Sequence, residues 1–565
     1  MSKGEATSIP VNNKGLKGGV VGLLSSIVIG TASTAPAYSL AATLGLIVAH
    51  RGTLLCGVKA PAIVLLSFIP MYLIAVAYQE LNKAEPDCGT TFTWASRAFG
   101  PITGWLGGWG IIAADVIVMA NLAQIAGTYS FTFVADLGWH SVAGLASSTV
   151  WTTLSGVIWI AAMTYICYRG IEVSARLQYI LLSVEIVVLV AISAIALIRV
   201  YTNNAPPGSL RPSLSWFWPG GLDFSTSIAP ALLITIFIYW GFDTAVACNE
   251  ESDDPGHTPG RAAVLSTFLL LATYALVTVS TIAFAGIGVE GSGLGNPDNS
   301  EDVFSAFGPA LFGDGLLGKV GLLLLSASIL TSASASTQTT IMPTARTTLS
   351  MAVFKALPDS FTKMHPRYLT PTVSTIVMGA ASILFYVLFT VISSSLLSAL
   401  IGSVGLVIAF YYGLTGYACV RYYRKTLTNS LRDFVMRGVL PLLGGVLLTI
   451  VFVFGLIEYA KADWLVDHDR NVTIFGFGAV AVVGVGSMVL GVVLMFTWWA
   501  ISPSFFHGRT LRRQCAEALS EPAMTTAAHF APHVSCATQT VIAADLSNMS
   551  SLPAAEGVAN PSQTG

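Results

Sequence analysis

Three carboxylates stand inside apolar runs of this 565-residue chain: Asp115, Glu185 and Asp243. A carboxylate at the centre of a membrane helix costs roughly 2.5–3.5 kcal/mol on insertion scales. It persists only where a cavity, a partner or backbone dipoles receive it. The backbone offers a second kind of candidate. Ile29-Gly30-Thr31-Ala32-Ser33-Thr34-Ala35-Pro36 lies in the middle of the first apolar segment, between Lys17 and Arg51. A straight helix over that interval would be about 50 Å long, against about 30 Å of hydrocarbon. The segment is therefore strongly tilted or broken, and Gly30 and Pro36 bracket the small and hydroxyl residues where a break would fall. Unwound backbone at membrane depth survives only where it lines a cavity or is buried in protein. Its freed amides and carbonyls then become ligands for a solute. The competing reading is a tilted helix with a proline kink and small packing residues. A like stretch recurs later. Nineteen uncharged residues, Phe224–Phe242, precede Asp243 in Tyr239-Trp240-Gly241-Phe242-Asp243-Thr244, and Ala245–Cys248 follow before Glu250 and Glu251. Gly241 supplies loose backbone beside the charge.

The elements that position these residues are membrane spans. The composition is 54% hydrophobic and 10% charged, where a soluble domain carries nearer a quarter charged. Charge-free runs place twelve spans near 18–49, 58–80, 102–135, 148–168, 174–199, 226–251, 262–288, 315–350, 370–391, 394–421, 438–459 and 472–500. Tyr368–Val420 has no acidic or basic residue and must be a hairpin turning near Ser393-Ser394-Ser395. Lys and Arg divide 20 to seven between the two sides when the N-terminus is inside. The asymmetry puts both termini in the cytoplasm and fits an uncleaved first span in a plasma membrane. The outer loop 200–225 is rich in Pro, Gly and Trp; the outer loop 289–314 is acidic; the inner segment 351–367 could hold a short interfacial helix. Residues 503–565 read as a mostly disordered cytoplasmic tail. The seven cysteines contain no CxxC pair and form no disulfide or metal framework. The net charge of −2 gives no sign of a nucleic-acid partner.

Spans one and six are both interrupted and lie five apart. Because five is odd, spans one to five and six to ten would be repeats of opposite topology, the best sequence pointer to a transporter site. The segments are then an N-terminal tail 1–17, a first repeat 18–200, a second 226–424, two further helices in 438–500, and the tail.

Four passages resemble the amino acid–polyamine–organocation permease family: the small-residue break Gly30–Pro36; Gly241-Phe242-Asp243 with Glu250-Glu251, Asp254-Pro255 and Arg261; Arg176-Leu177-Gln178; and Arg346 through Leu357-Pro358, with His365 and Thr370-Pro371. In the first passage hydroxyls and alanines replace several of the family's glycines. The likeness covers about residues 15–500. It implies an all-α, leucine-transporter-like 5+5 inverted repeat with discontinuous helices 1 and 6. It also implies a secondary transporter importing amino acids by alternating access, in which spans one, two, six and seven rock against three to five and eight to ten.

The resemblance further implies a substrate site at Gly30, Thr31, Ala32, Ser33, Thr34 and Ala35 of span one, and at Tyr239, Trp240, Gly241, Phe242 and Asp243 of span six. Amides at Thr31–Ala35 would take a carboxylate and carbonyls around Tyr239–Gly241 an ammonium, which suits a zwitterion between opposite dipole ends. Asp243 could accept an amine, carry a proton or tie the break together. Asp115 and Glu185 are the candidates for proton coupling, each with a structural alternative as a paired core carboxyl. Ser332, Ser334, Ser336 and Thr337 of span eight could supply oxygen ligands to a sodium ion, although such hydroxyls are more often packing glue; a proton is the favoured coupling ion and no cofactor is expected. Glu251, Asp253, Asp254 and Arg261 sit at the inner mouth, where a pair with Arg97 or Arg176 competes with plain solvation. The expected partners are a small amine-bearing solute and the bilayer. A polyamine or organic-cation carrier or exchanger is the nearest rival and would need Asp115, Asp243 and Glu185 in one cavity. A transporter-like nutrient sensor is a further alternative. An enzyme is not expected: all eight histidines fall outside the spans or at their ends, and there is no HExxH motif.

Overall fold

The computed structural model describes residues 14–511, apart from 51–52, 301, 314, 393 and 468–469. The turn expected near Ser393–Ser395, the first thirteen residues and most of the tail lie outside or at the edge of the described residues. Twelve described helical spans are long and apolar enough to cross a membrane. They are Leu23–Val48, Gly57–Ala84, Pro101–Asp136, Thr149–Tyr168, Ile171–Tyr201, Phe224–Ala247, Thr258–Ala285, Leu316–Val353, Thr372–Ile392, Leu400–Tyr423, Leu431–Tyr459 and Ala479–Ile501. Spans one and three are largely buried, whereas four, nine and eleven turn most of their surface outward. Ile158, Leu384 and Val453 are among the apolar side chains left exposed there, as a lipid-facing surface requires. The chain is a multi-pass membrane protein.

Helix packing repeats itself under exchange of each span with the one five later. Span one packs on seven and six on two; one packs on five and six on ten; five packs on eight and ten on three; four packs on eight and nine on three. Span two packs on seven, three on eight and four on nine, pairs that map onto themselves. That pattern is the 5+5 inverted repeat, with spans eleven and twelve added beside span ten.

Both expected interruptions are present. Span one consists of Leu23–Ser33 and Pro36–Val48. Its first half ends in tightened bonds, Thr34 N to Thr31 O and Ala35 N to Ala32 O, both 3.2 Å. Ala35 then turns left-handed at φ 47°, a conformation that costs a residue with a Cβ about 1–2 kcal/mol. Pro36 disfavours helix at the residue before it and opens the second half at the position where its missing N–H is harmless. Span six consists of Ala229–Ile238 and Asp243–Ala247, separated by Tyr239–Phe242, in which Gly241 takes φ 126°.

The structure differs from the charge-based spans where charged turns are helical. Span eleven begins at Leu431 because Arg432 and Arg437 pair with the buried Glu80 of span two at 3.1 and 2.9 Å, so charge does not end the helix. Two short helices were not expected, Thr91–Phe99 and Val303–Phe312. The second lies in the acidic loop 289–314, with Val303, Phe304, Phe307 and Leu311 buried along it. Within 351–367 span eight continues to Val353, and beyond it the described helix is a single 3-10 turn, Asp359–Thr362. Of the seven cysteines, Cys56, Cys88, Cys167, Cys248 and Cys419 are buried free thiols.

Candidate substrate and coupling site

The two breaks lie against each other. A Cβ added to Gly241 would stand 2.8 Å from the Ser33 hydroxyl and 2.9 Å from its carbonyl carbon. Only a glycine permits that approach, and its positive φ excludes other residues independently. Ser33 and Thr244 share a hydroxyl hydrogen bond of 2.9 Å across the breaks. Span eight adds Ser336, which donates to the Ser33 carbonyl at 2.9 Å. Span seven adds Tyr274, which donates to the Ile238 carbonyl at 2.6 Å and to the Thr34 hydroxyl at 3.3 Å.

The amides presented at the break are not those expected. Thr31, Ala32 and Ser33 belong to the first half-helix, and the Thr34 and Ala35 amides close its last turn. The break is only two residues long, so the free donors fall one turn later. Ala37 N donates to Glu185 Oε1 at 2.6 Å, and Tyr38 N to the Ser332 hydroxyl at 3.1 Å. Ser332 in turn donates to the same Glu185 oxygen at 2.6 Å. Glu185 is fully buried, and its Oε2 has no hydrogen-bond partner among the described residues. A carboxylate from span five therefore caps the positive end of the second half-helix, the place where helix termini take anions.

Asp243 faces the other way. Its two oxygens accept from Tyr412 at 2.9 Å and Tyr411 at 3.0 Å of span ten, and the Trp240 indole N–H donates to the Tyr411 hydroxyl. The carboxylate ties the span-six break to span ten. Of the expected site residues, Ser33, Thr34, Ala35 and Trp240 line the cavity between the breaks; Gly30, Thr31, Ala32, Tyr239, Gly241, Phe242 and Asp243 do not. Tyr239 donates to the Val64 carbonyl at 3.1 Å. Phe242 packs edge-on against Tyr78, ring centres 5.9 Å apart. Asp115 accepts from Thr344 of span eight.

That cavity measures about 10 Å³, about what one water requires. Ser33, Thr34, Tyr38, Ser39 and Ser336 bring hydroxyls to its lining and Val118, Leu122, Phe237 and Trp240 bring apolar surface; none is charged. The Tyr38 hydroxyl is buried with no hydrogen-bond partner among the described residues. The hydroxyls considered for sodium do not converge. Ser334 and Thr337 donate to carbonyls of their own helix at 2.7 and 2.8 Å, while Ser332 and Ser336 serve Glu185 and Ser33.

Just past span six, Glu251 pairs with Arg346 of span eight, both buried, and not with Arg97, which bonds Glu85 at 2.9 Å. Solvation describes Asp254 and Arg261 but not Glu251. Lys14 bridges Asp87 at 2.7 Å and Glu250 at 2.6 Å. Burial opposes its charge, but Asp87 and its neighbours hold its pKa well above the ordinary lysine value. Burial likewise pushes Asp87 up, and Lys14 with Ser350 and the Gly89 amide brings it below the usual range. Asp87, Cys88 and Glu250 have the spacing of a metal site, but the Lys14 ammonium lies among them, 3.6 Å from the Cys88 sulfur. Sequence reasoning missed Lys14, Asp87, Tyr411 and Tyr412. The Tyr411-Tyr412 pair in a charge-free hairpin was the available signal for the last two.

The family model described as "Amino acid permease" matches residues 22–497. The chain belongs to the amino acid permease family. An uncharacterised transporter of Mycobacterium tuberculosis is 27% identical over 424 residues, covering 75% of this chain and 83% of that protein. The branched-chain amino acid permease BcaP of Bacillus subtilis is 25% identical, covering 55% and 63%. The low-affinity putrescine importer PlaP of Escherichia coli is 22% identical, covering 67% and 77%. The crystal structure of MhsT in complex with L-phenylalanine aligns at a TM-score of 0.49 and 16% identity, covering 75% and 98%. The permease is thus a secondary transporter of the amino-acid/polyamine type, not an enzyme.

Proposed function

We propose that this permease imports a neutral amino acid with an apolar side chain, driven by a proton carried on Glu185. The observation that carries the reading is the uncharged lining between the abutting breaks, made of hydroxyl-bearing and apolar side chains. A polyamine carrier would need carboxylates in that lining. Asp115, Asp243 and Glu185 instead bond Thr344, the two tyrosines, and the Ala37–Ser332 pair respectively. The relative named as a branched-chain amino acid permease supports the same substrate class.

The closed cavity is too small for an amino acid, so loading requires spans one and six to separate from their neighbours. Glu185 holds the second half of span one through Ala37 and span eight through Ser332. Protonation removes the negative charge from the positive end of that half-helix, loosening it. Proton and substrate are thereby linked at one helix end. Both termini face the cytoplasm in this reading, which rests on the 20-to-seven division of Lys and Arg. The repeats occupy 18–200 and 226–424. The test is Glu185→Gln in proteoliposomes. Gradient-driven accumulation of leucine should fall to the level without a gradient, while leucine–leucine exchange persists. Accumulation that still follows the proton gradient would refute the role of Glu185.

A further inference from the structure

A second, larger cavity lies outside the substrate site. It is an open groove of about 500 Å³ between the start of span three and spans ten and eleven. Leu414, Tyr417, Val420 and Leu442 supply apolar wall, and Arg421 and Arg424 stand at one end. No acidic residue lines it. Leu414, Tyr417 and Arg421 recur every three or four residues and so share one face of span ten, and Arg424 joins them in the lining from the turn that follows. The helix rises about 10 Å from Leu414 to Arg421, and Arg424 follows in the turn just past its end at Tyr423, which separates an apolar stretch from a basic end.

The two arginines differ from their basic neighbours. Arg432 and Arg437 are engaged by Glu80 and Asp433. Arg421 and Arg424 are exposed, and neither has an ion-pair partner among the described residues. They lie about one turn apart, so both guanidinium groups can address a single phosphodiester, which arginine binds in bidentate fashion. A free anion would use the arginines alone; the groove below them matches an acyl chain. Basic pockets between spans at a membrane surface are suited to anionic headgroups.

We infer that this groove binds an anionic phospholipid of the surrounding bilayer, its phosphate on Arg421 and Arg424 and an acyl chain along Leu414, Tyr417 and Leu442. The site is independent of which solute the permease carries.

The test is native mass spectrometry of the full chain released from nanodiscs of equal phosphatidylglycerol and phosphatidylcholine. The wild type should retain phosphatidylglycerol over phosphatidylcholine by about 25-fold, at about fivefold per arginine. Arg421→Gln with Arg424→Gln should bring the ratio near one. Arg421→Lys with Arg424→Lys should keep most of the preference, which separates charge from misfolding. Leu442→Trp, which fills the groove and keeps the charges, should lower retention of both lipids. Lys363→Gln with Arg367→Gln, elsewhere on the chain, should change nothing. The inference is overturned if the wild type shows no preference, if the glutamine pair keeps it, or if the Lys363/Arg367 pair loses as much.

Discussion

Gly241→Ala tests the abutment of the two breaks most sharply. The substitution incurs two separate costs. The φ of 126° strains any residue with a Cβ by about 1–3 kcal/mol. The new methyl would also stand 2.8–3.0 Å from three atoms of Ser33, one of them the carbonyl carbon, and overpacking of that kind costs about 1–3 kcal/mol more. Backbone cannot swing aside as a flexible side chain can, so the sum, about 2–6 kcal/mol, is borne by the conformation in which the breaks touch. At the lower end that conformation is depleted about 30-fold. Gly138→Ala provides the comparison, because Gly138 also has positive φ, 107°, but nothing within 4 Å of the added carbon. The assay is the initial rate of radiolabelled leucine uptake by proteoliposomes, normalised to reconstituted protein. Gly241→Ala should lower it at least tenfold while the protein stays monodisperse in detergent, and Gly138→Ala should stay within twofold of wild type. A Gly241→Ala permease that transports at the wild-type rate would refute the packing of span six on span one as a step in transport.

Asp243→Asn removes one of two acceptors for the span-ten tyrosines, an unmet buried hydrogen bond of about 1–3 kcal/mol. It should cut the uptake rate about tenfold. Tyr411→Phe should do the same and the double variant no worse, because both act through one network; additive losses would place Asp243 elsewhere in the mechanism. Lys14→Ala leaves Asp87 and Glu250 facing each other without their shared cation, a loss of about 3–5 kcal/mol when a buried pair is broken. Maleimide labelling of the buried Cys88 should accelerate at least tenfold in the variant, and unchanged labelling would mean that Lys14 does not hold the inner side closed.

Much of the architecture could be read from the chain because membranes punish charge. The gaps between Lys, Arg, Asp and Glu located the spans, with nine and ten together in the one charge-free stretch Tyr368–Val420, and Gly30–Pro36 and Gly241–Asp243 marked both breaks. The same criterion failed at Leu431–Val439, where the basic residues are neutralised by Glu80, some 350 positions earlier. The candidate site was legible as two stretches but not as contacts. The partners of Asp243 lie 168 and 169 residues away, that of Ala37 N 148 away, and those of Lys14 73 and 236 away. No local pattern ties such positions together. The length of the span-one break also escaped reading. Pro36 restarts the helix at once, which moves the exposed amides from Thr31–Ala35 to Ala37 and Tyr38.

We propose that an uncharged site between two broken helices takes a neutral amino acid on a proton gradient. Leucine uptake into proteoliposomes, with proton and sodium gradients imposed separately and putrescine or neutral amino acids as competitors, tests it most directly. Uptake should follow the proton gradient alone and be suppressed by neutral amino acids but not by putrescine. Uptake that requires sodium, or that putrescine abolishes, would contradict it.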